Sequence, residues 1–173
     1  METMRITEEQ IKAAHKSLKN ENGGAWQDYF GLLFLEEFHK VPREQALHQV
    51  AFGGEDYGID GFHFDKAKRN LFLFQFKWSS DHEQFKPGFR TLLEHGMSEV
   101  FGANAGGKSR NSVVNGLKNV LRENRGKIDQ VCFHFVFTGE PEKAENSSVL
   151  GAMREDLENK KHIMDEWWGK EMS

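Results

Sequence analysis

Two apolar segments between Gly58 and Trp78 constrain the fold more than any other part of the sequence, because each carries polar groups where a buried strand should have none. The second segment, residues 71–78, reads Leu-Phe-Leu-Phe-Gln-Phe-Lys-Trp. Strand side chains alternate between the two faces of a sheet, so Gln75 and Lys77 lie side by side on the face opposite the aromatic residues. Burying an amide and an ammonium is costly unless they are paired or used, and Asp60 on the preceding strand is the predicted partner.

Composition limits the classes of protein to which this chain can belong. Its 173 residues suit one domain, and the apolar fraction of 38% is enough for a packed core. The net charge of -4 means that a nucleic-acid partner would need a local basic patch. A single cysteine, Cys132, excludes an internal disulfide framework and favours a reducing, cytoplasmic setting. No apolar run approaches the roughly 20 residues of a membrane span, and the first residues lack the apolar core of a signal peptide.

Hydrophobic periodicity and turn residues predict a mixed α/β fold. A meander of three strands is followed by helical sequence and then by a near-continuous apolar run, residues 131–137, which is typical of a fully buried central strand. The predicted core order is α-β-β-β-α-β around a central mixed sheet, with an N-terminal helix in residues 1–22, the core in 23–140 and a C-terminal helix in 141–173. The predicted elements are helices at Thr7–Asn20, Trp26–Phe38, Phe85–Phe101, Arg110–Arg125 and from Asn146 onward, and strands at His48–Phe52, Ile59–Phe64, Leu71–Trp78 and within Asp129–Thr138.

An acidic side chain falls on the predicted core face of the helix Trp26–Phe38. At roughly 100° per residue, Glu37 lies inside the apolar stripe of this helix and Glu36 lies near its edge. A carboxylate on a core face is unusual. Glu37 either extends to water or caps a neighbouring group, or it takes part in a site with the polar groups of the strands.

The polar groups of the strands suit a hard cation. Mg²⁺ prefers oxygen ligands, usually one or two carboxylates together with waters and substrate phosphate. Asp60 supplies a carboxylate, Gln75 an amide oxygen and Phe76, between the two polar residues of its strand, a backbone carbonyl. Lys77 can hold an attacking water or a phosphate, and a glutamate of the helix can hold the waters of the metal.

This arrangement of a helix glutamate, Gly-Ile-Asp-Gly at residues 58–61 and Gln-x-Lys at residues 75–77 resembles the PD-(D/E)XK nuclease superfamily. The Gln-x-Lys ending is similar to the Mrr-like branch, and residues 55–62 and 73–78 resemble the N-terminal nuclease region of abortive phage infection (AIPR) proteins. The resemblance covers about residues 25–138. It implies a restriction-endonuclease-like core that hydrolyses phosphodiester bonds of DNA with Mg²⁺ or Mn²⁺, RNA remaining an alternative, in bacterial defence against phage.

The resemblance also implies roles for individual residues. Asp60 matches the metal-binding Asp of the family, Gln75 its Glu/Gln position and Lys77 its catalytic Lys. Glutamine in place of the commoner glutamate removes one charge from the metal site. The sequence Phe-Leu-Glu at residues 34–36 favours Glu36 as the upstream acid of the site. The predicted core face of the helix favours Glu37 instead, and Asp28 is a third candidate.

A glycine-rich stretch offers a competing interpretation. Residues 102–109 match G-x-x-x-x-G-K-S, which cradles phosphates when it follows a strand and opens a helix. The residues before it do not form an apolar strand-like run. We therefore expect a glycine loop in which Ser109 caps the following helix, with an NTPase as the less favoured alternative.

Basic residues near this loop supply the local patch that a nucleic acid needs. Lys108 and Arg110, at the predicted start of a helix, are candidates for binding DNA phosphates, and Lys118 and Arg122 extend the set along the helix with Arg125 and Lys127.

A DNA-binding or oligomerisation scaffold on an inactive nuclease fold is the non-enzymatic alternative. The adjacent Trp167 and Trp168 suggest either that the chain is a piece of a longer protein or that it self-associates there, and we expect a homodimer. Among the remaining candidates, His63 is expected in packing or at the surface, His82 near the scissile phosphate and Cys132 in the core.

Overall fold

Helices on both sides of a three-stranded mixed sheet make this a mixed α/β protein, as predicted. The computed structural model describes residues 5–53, 57–102, 105–109 and 111–172, with side chains described as far as Trp167. The helices are α1 Glu8–Asn22, α2 Phe30–Phe38, α3 Arg43–Ala46, α4 Lys86–Thr91, α5 Met97–Val100, α6 Ser112–Glu123, α7 Pro141–Glu145 and α8 Ser148–Met172, and the strands are β1 Gly61–Asp65, β2 Asn70–Phe76 and β3 Gln130–Val136. Short 3-10 turns occupy Trp26–Tyr29, His82–Phe85 and Arg125–Lys127, and a π-helical turn, Leu92–Gly96, joins α4 to α5.

The sheet has the order β1-β2-β3. β1 and β2 form an antiparallel hairpin in which Gly61 lies opposite Phe74. β2 and β3 are parallel, with Leu73 opposite Phe133. A parallel pair needs a long crossover, and α4, α5 and α6 supply it.

The prediction of a first strand of the meander, at His48–Phe52, is wrong. Residues 48–52 contribute a single bridge, between Val50 and Gly61, rather than a strand. The reason is local: the N–H groups of His48 and Gln49 still bond back to Gln45 and the last residue of α3 at 3.1 and 3.0 Å, so too little extended chain is left to pair.

The position predicted for the last strand is also wrong. The apolar run at residues 131–137 indicated a fully buried central strand, but among the described residues β3 pairs only with β2 and forms an edge of the sheet. Val131, Cys132, Phe133 and Phe135 are consequently only half-buried.

The sheet separates two hydrophobic cores, and the alternation predicted for residues 71–78 determines which core each side chain enters. Leu71 and Leu73 pack with α4, α5, α6 and α8, a layer that we call the α4 side. Phe72, Phe74 and Phe76 pack with α1 and α2, the α2 side. The alternation is confirmed, and it places Gln75, which is 4% exposed, on the α4 side.

The buried face predicted for the second helix is only partly right. Tyr29 and Phe30 are fully buried, as the apolar stripe requires. Glu37, which the same stripe placed on the core face, is exposed, and Gly31, Leu32 and Leu35 are buried as well. The predicted helix is broken into a 3-10 turn and α2, so a single 100° periodicity cannot extend from Trp26 to Phe38. A close contact decides the new face: a Cβ at Gly31 would lie 2.6 Å from the ring of Phe76, so only glycine lets this ring lie on the helix backbone.

The helix from Ser148 confirms the predicted C-terminal helix, and α1 confirms the N-terminal one. Within the described ranges, no helix combines the length and the apolar character that a membrane crossing requires.

Candidate active site at the end of β2

Asp60 and Gln75 lie together at the end of the β1–β2 hairpin. Asp60 immediately precedes β1, and continuing the antiparallel register places it opposite Gln75 on the α4 side. Its backbone is fixed on both sides: its N–H donates to the carbonyl of Phe74 at 2.9 Å, and its carbonyl accepts from the N–H of Ala51 at 2.9 Å. Its Oδ2 accepts the N–H of Phe76 at 2.9 Å, which holds the carboxylate at the end of β2.

Gln75 carries a buried acceptor without a partner. Its Nε2 donates to the carbonyl of Gly58 at 2.7 Å, and this bond fixes the orientation of the amide. The opposite atom, Oε1, is buried and has no hydrogen-bond partner in the described part of the chain. An unpaired buried acceptor destabilises a protein by roughly 1–3 kcal/mol, so such an atom points to a ligand or to a structural cost.

Glycines bring the loop before Asp60 into backbone contact with the helix above it. Gly58 has a φ of 80°, and a Cβ there would collide with the carbonyl of Gly88 and the N–H of Leu92. A Cβ on Gly96 would collide in the same way with the carbonyl of Tyr57, and one on Gly88 would lie 3.3 Å from both polar atoms of the Gln75 amide. The segment from α4 to α5 therefore forms a close cover over Gln75. Two glycines weaken the prediction of a helix at Phe85–Phe101, but the spacing of Gly88 and Gly96 by eight residues, which repeats on one helix face, is a signal in the sequence for this close contact.

Lys77 follows the strand and is exposed. Its backbone N–H donates to the carbonyl of Val136 at 2.9 Å, so its main chain is still held by β3. No ion pair within 4 Å joins its ammonium to Asp60 or to another carboxylate in the described ranges. The ammonium therefore remains available to a phosphate in solvent.

The carbonyl of Phe76, the third predicted metal ligand, faces the same edge of β2 as its N–H, because both groups of one strand residue point to the same side. That edge is the one at which Asp60 lies. Asp60, Gln75 and the carbonyl of Phe76 are thus brought to one end of the hairpin.

The structure does not bring an acid of α2 to this place. The rings of Phe30 and Phe34 contact Phe76 on the α2 side, whereas Gln75 points to the α4 side. The Glu36 carboxylate accepts two hydrogen bonds from Arg43, at 3.0 and 2.9 Å, and this bonding raises the pKa of the Arg43 guanidinium. Glu36 is therefore engaged by an arginine rather than by the site.

The other two acid candidates also have different places. Glu37 is exposed, so its predicted core-face role is wrong. Asp28 accepts the N–H of Ala25 at 2.8 Å and caps the 3-10 turn before α2. Consistent with these placements, no group of three His, Cys, Asp or Glu side chains suited to a metal is found in the described ranges.

Lys118 does not lie on the surface as the predicted phosphate contact requires. It is 3% exposed, and its ammonium lies 2.7 Å from Glu99 Oε1 and donates to the carbonyl of Gly107 at 2.9 Å. The pair ties α6 to α5 and to the glycine loop. The prediction failed because the partner, Glu99, is 19 residues away and is brought to Lys118 only by the tertiary fold.

The exposed basic residue near the end of α6 lies away from Asp60. Arg122, which bonds Asn119 Oδ1 at 2.9 Å, precedes a turn whose Gly126 carbonyl accepts from Arg69 at the start of β2. Gln75 is near the other end of that strand, roughly 20 Å away at about 3.3 Å per residue. Lys108 is exposed, and Arg110 lies outside the described residues.

The glycine loop lacks the setting of a phosphate-binding loop. It follows the helix α5 rather than a strand. The prediction that Ser109 caps the next helix is wrong, because the cap is Asn111, whose Oδ1 accepts the N–H groups of Val113 and Val114 at 2.9 and 3.1 Å. Ser109 instead holds the turn, its hydroxyl accepting the N–H of Asn111 at 3.1 Å.

The histidines and the cysteine take other places. His63 lies on the α2 side, 3.2 Å from Gln49 Oε1 through Nδ1, which confirms the predicted packing role. His82 lines a cavity beside β3 together with Phe135, which lies opposite Gln75 in the sheet, and its approach to a scissile phosphate stays a prediction. Cys132 is half-buried at the β3 edge and not in a core, and burial raises the pKa of its thiol.

Comparison of the chain with protein-family models, with curated proteins and with solved structures finds no match.

Proposed function

We propose that this protein is a metal-dependent nuclease that hydrolyses phosphodiester bonds of DNA at Asp60, Gln75 and Lys77. The observation that carries the proposal is the buried, unpaired oxygen of Gln75 on the strand opposite Asp60. The resemblance of residues 58–61 and 75–77 to the PD-(D/E)XK superfamily and to AIPR proteins supports the same reaction and a restriction-endonuclease-like core. A role in antiviral defence and a homodimeric state belong to this proposal.

The donor set fits Mg²⁺ or Mn²⁺. Asp60 offers a carboxylate, Gln75 an oriented amide oxygen and Phe76 a carbonyl, all hard oxygen donors. Mg²⁺ keeps several waters, so two side chains and one carbonyl suffice without an acid from α2. The chemistry that a bound ion supplies is a lower pKa of its water and stabilisation of charge on the phosphate.

The residues of the chain position the reactants. Gly58 orients the amide of Gln75, and the N–H of Phe76 orients the carboxylate of Asp60. The ammonium of Lys77 contacts a non-bridging phosphate oxygen or the attacking water from solvent. Water attacks phosphorus and gives up a proton to solvent as the new P–O bond forms. The bond from phosphorus to the sugar oxygen breaks, and that oxygen leaves with a proton from solvent.

Paired variants test this assignment. Asp60→Asn and Lys77→Ala should each lower the rate of cleavage of plasmid DNA in Mg²⁺ by roughly 100-fold or more. Glu37→Gln, an exposed carboxylate on α2, is the matched control and should cleave as the wild type does. Calorimetric titration with Mn²⁺ should give binding to the wild type and to Glu37→Gln and none to Asp60→Asn, with all three proteins folded by circular dichroism. Wild-type protein that neither cuts DNA nor binds Mn²⁺ would overturn the proposal.

The scaffold alternative draws support from the absence, in the described ranges, of a group of three His, Cys, Asp or Glu side chains suited to a metal. It predicts DNA binding that needs no metal and weakens with salt, with no cleavage. A fluorescence-anisotropy titration of duplex DNA with and without Mg²⁺, over a range of salt concentrations, separates the two functions.

A further inference from the structure

The outer edge of β3 carries backbone groups that no described residue satisfies. The N–H of Lys77 bonds to the carbonyl of Val136, so the even-numbered residues of β3 direct their backbone groups at β2. Val131, Phe133 and Phe135 direct theirs away from the sheet. No hydrogen bond to these outward groups is formed within the described ranges.

This edge lacks the features that protect exposed strands. Natural edge strands avoid pairing with charged side chains, proline, bulges or a covering element. β3 reads Gln-Val-Cys-Phe-His-Phe-Val, with no lysine, acid or proline over its seven residues. It has the composition of a strand paired on both sides and the position of a strand paired on one.

An apolar groove runs beside the same edge. It has a volume of about 340 Å³ and lies between β3 and α8, lined by Phe133 and Phe135 on the strand and by Leu150, Met153 and Leu157 on the helix. The side chains of Val131, Phe133 and Phe135 belong to this α4 side of the sheet. A strand added to the edge would place its own apolar side chains next to the groove.

We propose that β3 pairs antiparallel with β3 of a second copy of this chain, about a two-fold axis at Phe133. The outward residues are symmetric about Phe133, so Phe133 pairs with the partner's Phe133 and Val131 with the partner's Phe135. Each pairing makes two hydrogen bonds, and every outward N–H and C=O between Val131 and Phe135 is then satisfied. The two sheets become continuous.

Two observations select a second copy as the occupant. The pairing brings no charged side chain opposite another, because neither strand carries one. The apolar strand needed as a partner is also present in every copy, so the interface is isologous and closed.

A cysteine pair tests the register. In this pairing Cys132 lies opposite the partner's His134 in a non-hydrogen-bonded position, with Cα atoms about 4.5 Å apart, a distance that a disulfide accepts. His134 is exposed, so His134→Cys should fold. Mild oxidation should convert this variant to a covalent dimer that a reductant separates.

The matched controls are the oxidised wild type and the double variant Cys132→Ser/His134→Cys. Each leaves one cysteine per chain in this segment, and the two copies of that position lie diagonally about 7–8 Å apart, too far for the bond. Both controls should stay free of covalent dimer. Equal cross-linking in the double variant would overturn the proposed register.

Light scattering on a sizing column tests the dimer itself. The wild type should have twice the 20.0 kDa mass of the chain at micromolar concentration. Val131→Pro removes an outward N–H that β2 does not use, so the fold should survive while dimerisation weakens by roughly 30-fold through two lost hydrogen bonds. A wild-type monomer at all concentrations would overturn the proposal. If Val131→Pro does not fold by circular dichroism, the cysteine experiment and the wild-type mass decide it.

Discussion

The two sides of the sheet hold polar groups in different ways. On the α4 side, Gln75 and the Glu99–Lys118 pair are enclosed, and their partners come from distant parts of the chain. On the α2 side, the ionic pair Glu36–Arg43 lies at the rim, where water reaches both side chains. An enclosed polar group depends on its partner for its stability, whereas a group at the rim can return to water. The comparison therefore predicts large effects of mutation on the α4 side and small ones on the α2 side, except at Gln75.

Loss of one partner from each ion pair should give the largest contrast. Lys118→Ala leaves Glu99 buried without a counter-charge and should lower the free energy of unfolding by about 3–5 kcal/mol. Arg43→Ala should cost at most about 1 kcal/mol, because the Arg43 side chain is 45% exposed and Glu36 can be solvated. Urea unfolding followed by circular dichroism measures both. The double variant Glu99→Ala/Lys118→Ala should recover part of the loss, and equal losses in Lys118→Ala and Arg43→Ala would break the comparison.

Acid should weaken the α2 side through its histidines. The rings of His39, His63 and His134 lie among Phe72 and Phe74, with His39 centred 4.9 Å from Phe72. Burial, and then the neighbouring histidines, lowers the pKa of His39 to about 4. Burial also lowers the pKa of His63, and the contact of one side of the His134 ring with Phe72 and Phe74 lowers the pKa of His134, whose other side reaches solvent.

The sign of the effect follows from these shifts. The folded protein binds the proton less well than the unfolded chain, so the stabilisation is complete above about pH 6.5 and is lost as the pH falls towards 4. With an allowance for partial exposure, His39 should contribute a loss of about 1 kcal/mol between pH 7 and pH 5. The urea midpoints at pH 7 and at pH 5 should lie closer together in His39→Phe than in the wild type. In His95→Gln, which changes an exposed histidine outside the cluster, the two midpoints should differ as much as they do in the wild type. An unchanged pH dependence in His39→Phe would contradict the assignment.

The sequence predicted those features that depend on neighbours along the chain. Alternation placed Leu71 and Leu73 opposite Phe72 and Phe74, because the period of a strand is fixed by its backbone. The same alternation, together with the hairpin, placed Asp60 opposite Gln75, since the turn fixes the register.

Features set by distant contacts were not predictable in this way. The face of α2 depends on the Phe76 ring at Gly31, and the burial of Lys118 depends on Glu99. Neither contact leaves a periodic signal in the local sequence. The position of β3 was missed for a different reason: its composition indicates a strand with neighbours on both sides, and among the described residues of one copy only β2 pairs with it.

Replacement of Gln75 should give the smallest change in stability and so mark the exception on the α4 side. Gln75→Met removes the hydrogen bond to Gly58, worth about 0.5–1.5 kcal/mol, and also removes the buried unpaired Oε1, which costs roughly 1–3 kcal/mol. These effects nearly cancel, so the free energy of unfolding should stay within about 1 kcal/mol of the wild type. Leu73→Ala, two residues away on the same face, should lose about 2–5 kcal/mol.

Under the proposed function, Gln75→Met should nonetheless cut DNA far more slowly, because a thioether is a poor ligand for Mg²⁺. A stability loss as large as that of Leu73→Ala would show that Gln75 serves the fold rather than a ligand.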